Sequence, residues 1–230
     1  RLNTDLKNPD DHQKYLLDWL PESRQWSYTL GTTFKHYGNN WYHFFVLSRS
    51  GLYNKVEKYT GNDRHNPKTI DYRSGESENK FRFEHHRYAA NGFKLQVGAG
   101  IEYAHYDNTT ARRLFAAGEA IDQYYSRALN MWKWAVFGQV SRSFFSERLA
   151  LSLGLRADGC NYTGKTAALY RQISPRFSFS YAFDERWSLN GNIGRYYQLP
   201  AYTTLGFADA GGVLVNKRNK TGYIGADHYV

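Results

Sequence analysis

Apolar and polar residues alternate along much of this chain, and a period of two predicts β-strands whose two faces differ. The pattern is clearest in three stretches, residues 93–103, 149–158 and 171–183. Weaker alternation predicts further strands at 26–37, 78–88 and 187–197. Residues 41–53 and 129–143 have the Trp, Phe and Val content of strands, but either of their faces could be the apolar one.

The connections between these strands alternate in length. Short ones fall near 38–40, 88–92, 144–148 and 184–186. Long, polar, basic ones cover roughly 54–74, 107–128, 159–170 and 198–222. The sequence therefore predicts an all-β, antiparallel up-and-down meander that is continuous from residue 75 to residue 197, with all short turns at one rim.

Three features favour a membrane barrel over a soluble β-sandwich or propeller. The strands are about ten to thirteen residues long, and a tilted strand needs about nine to eleven to cross a bilayer. Aromatic residues such as Trp26, Tyr103 and Trp187 lie toward strand ends, which suits the headgroup zone. The other face carries charges beside Gly and Ser in mid-strand, which suits a wet or plugged lumen.

The alternation assigns the strand residues to two faces. Those predicted to face lipid are apolar: Leu95, Val97, Leu151, Leu153, Phe177 and Phe179. Those predicted to face the lumen are polar or charged: Lys80, Arg82, Lys94, Gln96, Glu102, Arg156, Asp158 and Arg176. Pro175 interrupts one of these strands, and because proline cannot donate to the ladder we expect it near the rim of the long connections.

Composition narrows the class further. The 230 residues have a formal net charge of +9 and 17% aromatic residues, but only one cysteine. A single thiol excludes an internal disulfide framework and a multi-cysteine metal site. Mean hydropathy is −0.70 and no run approaches eighteen apolar residues, so we expect no transmembrane helix. The first residues lack an apolar leader, and we expect the chain to be a segment of a longer protein.

Motifs for catalysis, cofactors or metals are not found in the sequence. Gly98 and Gly100 lie inside a strand pattern, so we expect no dinucleotide site there. His85 and His86 are neighbours on a strand and should point to opposite faces, which disfavours a shared metal. Cys160 is expected to be inert. The sequence is thus predicted to encode neither an enzyme, a cofactor-binding protein nor a nucleic-acid-binding protein. Two sets of basic residues could touch anionic lipopolysaccharide or an anionic ligand: the cluster Lys217, Arg218 and Lys220, and the dispersed Lys55, Lys58, Arg64 and Lys68.

The stretch from 174 to 205 resembles the outer-membrane TonB-dependent receptors. These proteins have an S-P-R strand, a turn ending in R-W-S-L and a following G-R-x-Y-x-x-P segment, in that order. The matching residues are Ser174, Pro175, Arg176, Arg186, Trp187, Ser188, Leu189, Gly194, Arg195, Tyr196, Tyr197 and Pro200. Upstream, residues 137–158 resemble the preceding hairpin, and ADHYV at the end resembles the start of the next strand.

This resemblance implies a partial transmembrane β-barrel domain over residues 1–230, part of a barrel of the 22-stranded type whose lumen holds an N-terminal plug. The chain would supply eight strands and the start of a ninth, with the plug and the last strands outside it. The implied location is the bacterial outer membrane. The implied partners are outer-membrane lipid and lipopolysaccharide, the protein's own plug, TonB and a small nutrient ligand.

The implied function is active uptake of a scarce nutrient such as an iron chelate, haem, cobalamin or a glycan. Candidate ligand contacts are Arg195, Tyr196, Tyr197 and Gln198, where a strand enters the 198–222 connection. The alternatives are a passive or adhesive outer-membrane barrel and a soluble β-rich carbohydrate-binding module. An outer-membrane hydrolase is disfavoured, because no acid, base and nucleophile constellation is apparent.

Overall fold

A computed structural model describes residues 20–116, 119–206 and 226–229. Within these ranges the chain forms one nine-stranded sheet in which every strand pairs with its neighbours in sequence. The strands are β1 (Glu22–Tyr37), β2 (Trp41–Tyr59), β3 (Lys68–Tyr88), β4 (Phe93–Ala116), β5 (Glu119–Phe144), β6 (Leu149–Cys160), β7 (Ile173–Ala182), β8 (Ser188–Gln198) and β9 (Ala226–Tyr229). The predicted antiparallel meander is confirmed, and Ala226–Tyr229 of the ADHYV stretch forms the next strand, β9, which pairs with β8.

Short helical pieces occur only in connections of the described chain. They are the 3₁₀-helices Thr60–Asn62 and Leu169–Arg171, and the one-turn α-helices α1 (Gly164–Ala167) and α2 (Tyr202–Leu205). The side chain of Thr163 caps α1 by accepting from the backbone N–H of Thr166. The basic residues Lys217, Arg218 and Lys220 lie outside the described residues.

Two predicted connections were wrong in extent. β2 and β3 leave only residues 60–67 between them, and β4 and β5 run on through most of 107–128. Strand pairing continues there because a hairpin with both faces exposed to solvent can form without alternating apolar and polar residues. Cross-strand polar pairs such as Arg113 with Asp122, whose Nε and Oδ1 are 2.6 Å apart, hold it instead.

The strand register divides the sheet into two sides. What we call the apolar side carries all six residues predicted to face lipid: Leu95, Val97, Leu151, Leu153, Phe177 and Phe179. What we call the polar side carries all eight predicted to face the lumen: Lys80, Arg82, Lys94, Gln96, Glu102, Arg156, Asp158 and Arg176. The grouping follows from the pairing, whereas the assignment of the two sides to lipid and lumen stays a prediction.

The register also assigns the two strands whose faces the sequence left open. In β2, Phe45 pairs with Phe83, and their ring centroids are 5.1 Å apart on the apolar side. In β5, Val136 pairs with Ala99 and Val140 with Leu95, so they also lie on the apolar side. His85 and His86 point to opposite sides as predicted: His85 lies beside His43, whereas His86 stacks on Tyr42.

Successive short turns are staggered in one direction. Tyr42, at the first turn, pairs with His86, which lies two residues before the end of β3 at Tyr88. Lys94, at the second turn, pairs with Ser141, which lies three residues before the end of β5 at Phe144. A stagger in one direction tilts the strands, as the wall of a barrel requires. Among the described residues β1 and β9 are the two edges of the sheet, and they do not pair with each other.

Pro175 lies near the end of β7 that is joined to α1 and the second 3₁₀-helix, as predicted. It pairs with Leu155 of β6, while pairing with β8 begins only one residue later, at Arg176. The missing N–H therefore lies where the ladder is incomplete on one side.

Candidate functional site

A strap, residues 199–206, leaves the end of β8 and crosses the polar side of β3–β6. Leu205 of the strap is fully buried among Tyr106, Met131 and Tyr162. The Tyr162 hydroxyl donates to the Leu205 carbonyl at 2.7 Å. Gly206 follows, and a Cβ there would lie 2.8 Å from the ring of Tyr106, so glycine permits this close approach. The buried cluster also includes Leu129 and Cys160, whose thiol is free and buried.

Beneath the strap lies a cleft of about 580 Å³ on the polar side. Its charged lining is balanced, with four acids and four bases: Glu76, Glu78, Glu102, Asp158, Lys80, Arg82, Lys133 and Arg156. The register explains their convergence, because Lys80 pairs with Glu102 and Glu102 pairs with Lys133 across three strands. Side chains at such positions lie within reach of one another on the same face.

Lys133 is the centre of this network. Its Nζ contacts the carboxylate of Glu102, lies 3.1 Å from Glu78 Oε1, and donates to the Tyr202 hydroxyl at 2.6 Å. That hydroxyl in turn donates to Glu78. Lys80 closes the ring, with its Nζ 2.5 Å from Glu78 Oε2 and 3.4 Å from Glu102 Oε2. Tyr202 thus attaches the strap to two strands that are far from it in sequence.

The network of Glu78, Lys133 and Tyr202 was missed from the sequence. Alternation could have placed Glu78 and Lys133 on the polar face, but their contact with Tyr202 depends on how the strap folds back. Glu78 and Tyr202 are 124 residues apart, and no local pattern encodes that distance.

The four predicted ligand residues do not share a side. In β8, the register with β7 puts Tyr196 and Gln198 on the polar side, and Arg195 and Tyr197 on the apolar side. The Arg176 guanidinium lies 4.6 Å from the centre of the Tyr196 ring, and the Arg195 guanidinium lies 4.7 Å from that of Tyr197. Gln198 and Tyr197 both border the cleft where β8 joins the strap.

Toward the short turns, the polar side carries a row of small polar residues. Ser141 pairs with Ser152, Ser152 with Ser178, and Ser178 with Asn192, so the row crosses four strands. Short hydroxyl and amide side chains leave the backbone ladder accessible from this side.

Among the described ranges, no group of three or more His, Cys, Asp and Glu residues is arranged to hold a metal ion. No helix in the same ranges has the length and apolar character needed to cross a membrane.

Comparison with known proteins identifies the family of this chain. A family model described as TonB dependent receptor-like, beta-barrel, matches residues 2–226. The chain therefore belongs to the TonB-dependent receptor β-barrel family, as its resemblance implied.

Among solved structures, a mutant of the ferric enterobactin receptor from Pseudomonas aeruginosa is similar to this chain. The match has a TM-score of 0.58 and 17% sequence identity, and covers 80% of this chain and 27% of the receptor. The chain thus spans about a quarter of the length of that structure. A comparison with curated proteins gave no match.

Proposed function

We propose that this chain is part of the wall of an outer-membrane receptor that imports a scarce nutrient with energy delivered by TonB. The observation that carries the proposal is the two-sided, staggered sheet within a chain of the TonB-dependent receptor family. Its apolar side would face lipid and its polar side the lumen. Among the described residues β1 and β9 each have an unpaired edge, and lipid tolerates none, so further strands would have to close the barrel.

The polar side suits a wide lumen that holds a plug. The row of Ser141, Ser152, Ser178 and Asn192 offers donors and acceptors with little bulk, and the cleft above it is charged but balanced. In a narrow barrel such small side chains would leave voids, and the charges would lose water. A plug domain contributed by another part of the full protein would cover this surface with polar contacts.

The nutrient would meet the wall at the end of β8 and beneath the strap. Tyr196 and Gln198 lie on the polar side there, and Arg195 and Tyr197 lie on the opposite side. We therefore assign the ligand contact chiefly to Tyr196 and Gln198. An iron chelate, as in the ferric enterobactin receptor of similar fold, is the first candidate, followed by haem, cobalamin and glycans.

The test uses cells that carry the complete receptor gene, its deletion, or the gene in a strain without TonB. Uptake of labelled iron chelates, haem, cobalamin and oligosaccharides is measured in each strain. We expect uptake of one class that requires both the receptor and TonB. Tyr196→Ala with Gln198→Ala should reduce it more than Arg195→Ala, which alters the opposite side of the same strand. Uptake that persists without TonB would instead favour the passive barrel.

A further inference from the structure

Three cations lie side by side on the apolar side of β1–β3, beyond the apolar residues. Arg24 pairs with Lys55, and Lys55 pairs with Arg73, so we call these three residues the cation row. Like charges directly opposite one another destabilise a sheet. Their alignment therefore calls for compensating partners or a function.

Carboxylates in the next row partly compensate the cation row. Glu22 pairs with Glu57, and Glu57 pairs with Asp71. Each cation bridges to the acid two residues along its own strand, with N to O distances of 2.5 Å for Arg24, 2.7 Å for Lys55 and 3.1 Å for Arg73.

Two further cations, Arg64 and Lys68, also contact these carboxylates. Arg64 lies 2.9 Å from Glu22, and Lys68 lies 2.8 Å from Asp71 and also contacts Glu57. Five cations thus share three carboxylates, and the cluster keeps a net positive charge.

Side-chain exposure shows which charge reaches the surface. The acids are largely covered, with 21% of Glu22, 7% of Glu57 and 23% of Asp71 exposed. The cation row is more open, with 46% of Arg24, 38% of Lys55 and 60% of Arg73 exposed. A molecule approaching this side of the sheet therefore meets the cations first.

In the proposed orientation, the cation row would lie at the height of lipid headgroups. From Trp41, at the short-turn end of β2, to Lys55 the strand rises about 46 Å along its axis, or about 35 Å when tilted by about 40°. The hydrocarbon core is about 30 Å thick. Trp26 and Tyr53, stacked with ring centroids 4.5 Å apart, lie one row nearer the apolar band, as interfacial aromatics do.

We propose that the cation row binds the phosphate groups of a phosphorylated glycolipid in the outer leaflet, such as the lipid A part of lipopolysaccharide. Guanidinium and ammonium groups form strong charge-assisted hydrogen bonds with phosphate, and the aligned row matches a headgroup carrying two phosphates. The stacked rings below would pack on the sugars and the upper acyl chains. The inference rests on the proposed outer-membrane location, but names a site on the outer surface that nutrient uptake does not use.

The test measures binding of bisphosphorylated lipid A, dephosphorylated lipid A and inorganic phosphate to the complete receptor in a non-ionic detergent. The test variant is Arg24→Gln, Lys55→Gln, Arg73→Gln. The matched control, Arg112→Gln, Lys165→Gln, Arg171→Gln, removes the same charge at the same end of the sheet, outside the row. Circular dichroism and thermal unfolding verify that each variant folds.

Wild type and the control should bind bisphosphorylated lipid A at least about tenfold more tightly than the test variant, since each cation near a lipid surface contributes substantially to the binding free energy. Dephosphorylated lipid A should bind all three equally and weakly. Should the test variant not fold, raising the salt concentration must weaken wild-type binding of the bisphosphorylated form alone.

Equal binding of bisphosphorylated lipid A by the test variant and wild type would overturn the proposal. So would an equal loss for the dephosphorylated lipid, or inorganic phosphate binding as tightly as the lipid. Because binding is measured in detergent, a receptor without TonB-dependent uptake can still pass this test, and a transporting receptor can fail it.

Discussion

At the residue scale, the side of the sheet on which a residue lies should decide the effect of a charge. Leu153 and Ser152 are neighbours in β6 that lie on opposite sides. Arginine on the lipid face of a barrel near mid-bilayer costs about 2–4 kcal/mol, and much less in the lumen. Leu153→Arg should therefore lower the free energy of unfolding of the complete receptor in lipid far more than Ser152→Arg. Urea titrations compare the two, and similar losses would count against the assignment of sides.

A second residue-scale prediction concerns the anchor of the strap. Tyr202→Phe removes the hydroxyl that links Lys133 to Glu78, while those two side chains can still pair directly. We expect the free energy that holds the strap on the sheet to decrease by about 1 kcal/mol. A hydrogen bond to a charged group contributes about 1.5–3 kcal/mol, and partial exposure of the site to solvent reduces that contribution. Amide hydrogen exchange in the strap, residues 199–206, should accelerate by roughly fivefold.

The control for this anchor is Tyr170→Phe, which alters an exposed tyrosine outside the strap. Its exchange rates in the strap should match those of wild type. Unchanged protection in Tyr202→Phe would mean that the buried Leu205, and not the tyrosine hydroxyl, holds the strap in place.

At the element scale, the extension of β2 and β3 beyond the apolar band is held by ionised carboxylates. Burial opposes ionisation of Glu57, but hydrogen bonds from Lys55 and Lys68 outweigh it and hold its pKa below the usual range. The pKa of Asp71 is lowered in the same way by Lys68 and Arg73, again against burial. A carboxyl whose pKa is lowered by folding stabilises the folded state above its unfolded pKa, and this contribution disappears as pH falls through the folded value.

We therefore expect the β2–β3 extension to loosen as pH falls below about 4, near and under the ordinary carboxyl pKa values. A fluorophore on a cysteine introduced at His65, in the connection between these strands, would report this as a fall in anisotropy between pH 7 and pH 3. Glu57→Gln with Asp71→Asn should be mobile at pH 7 and show little further change. An anisotropy independent of pH in wild type would contradict the prediction.

The elements that could be predicted from the sequence are those with one apolar and one polar face. Alternation in β4, β6 and β7 assigned Val97, Leu151 and Phe177 to one side correctly, because burial on one face imposes a period of two. The extensions within 54–74 and 107–128 could not be predicted, since strands wet on both faces place no constraint on hydrophobicity. The strap was missed because the contacts that hold it against the sheet are long-range.

At the scale of the whole molecule, alternation predicted the meander and the motifs between residues 174 and 205 indicated the family, but neither predicted the site. Neighbouring strands pair when short turns join them, so order and direction follow from local sequence. The cation row and the cleft instead depend on register across three or more strands. Arg24, Lys55 and Arg73 are scattered in sequence, and only the pairing of β1 with β2 and β2 with β3 aligns them.

The central claim is that the apolar side faces lipid and the polar side an aqueous or plug-filled lumen. Spin labels on single cysteines at residues 149–156 of β6, in the complete receptor with Cys160→Ser and in a bilayer, test it directly. Accessibility to oxygen, which partitions into lipid, and to a water-soluble nickel chelate is measured at each position. We predict high oxygen accessibility at Leu149, Leu151, Leu153 and Leu155, and low values at Ala150, Ser152, Gly154 and Arg156. A profile without alternation, or with its phase reversed, would contradict the account.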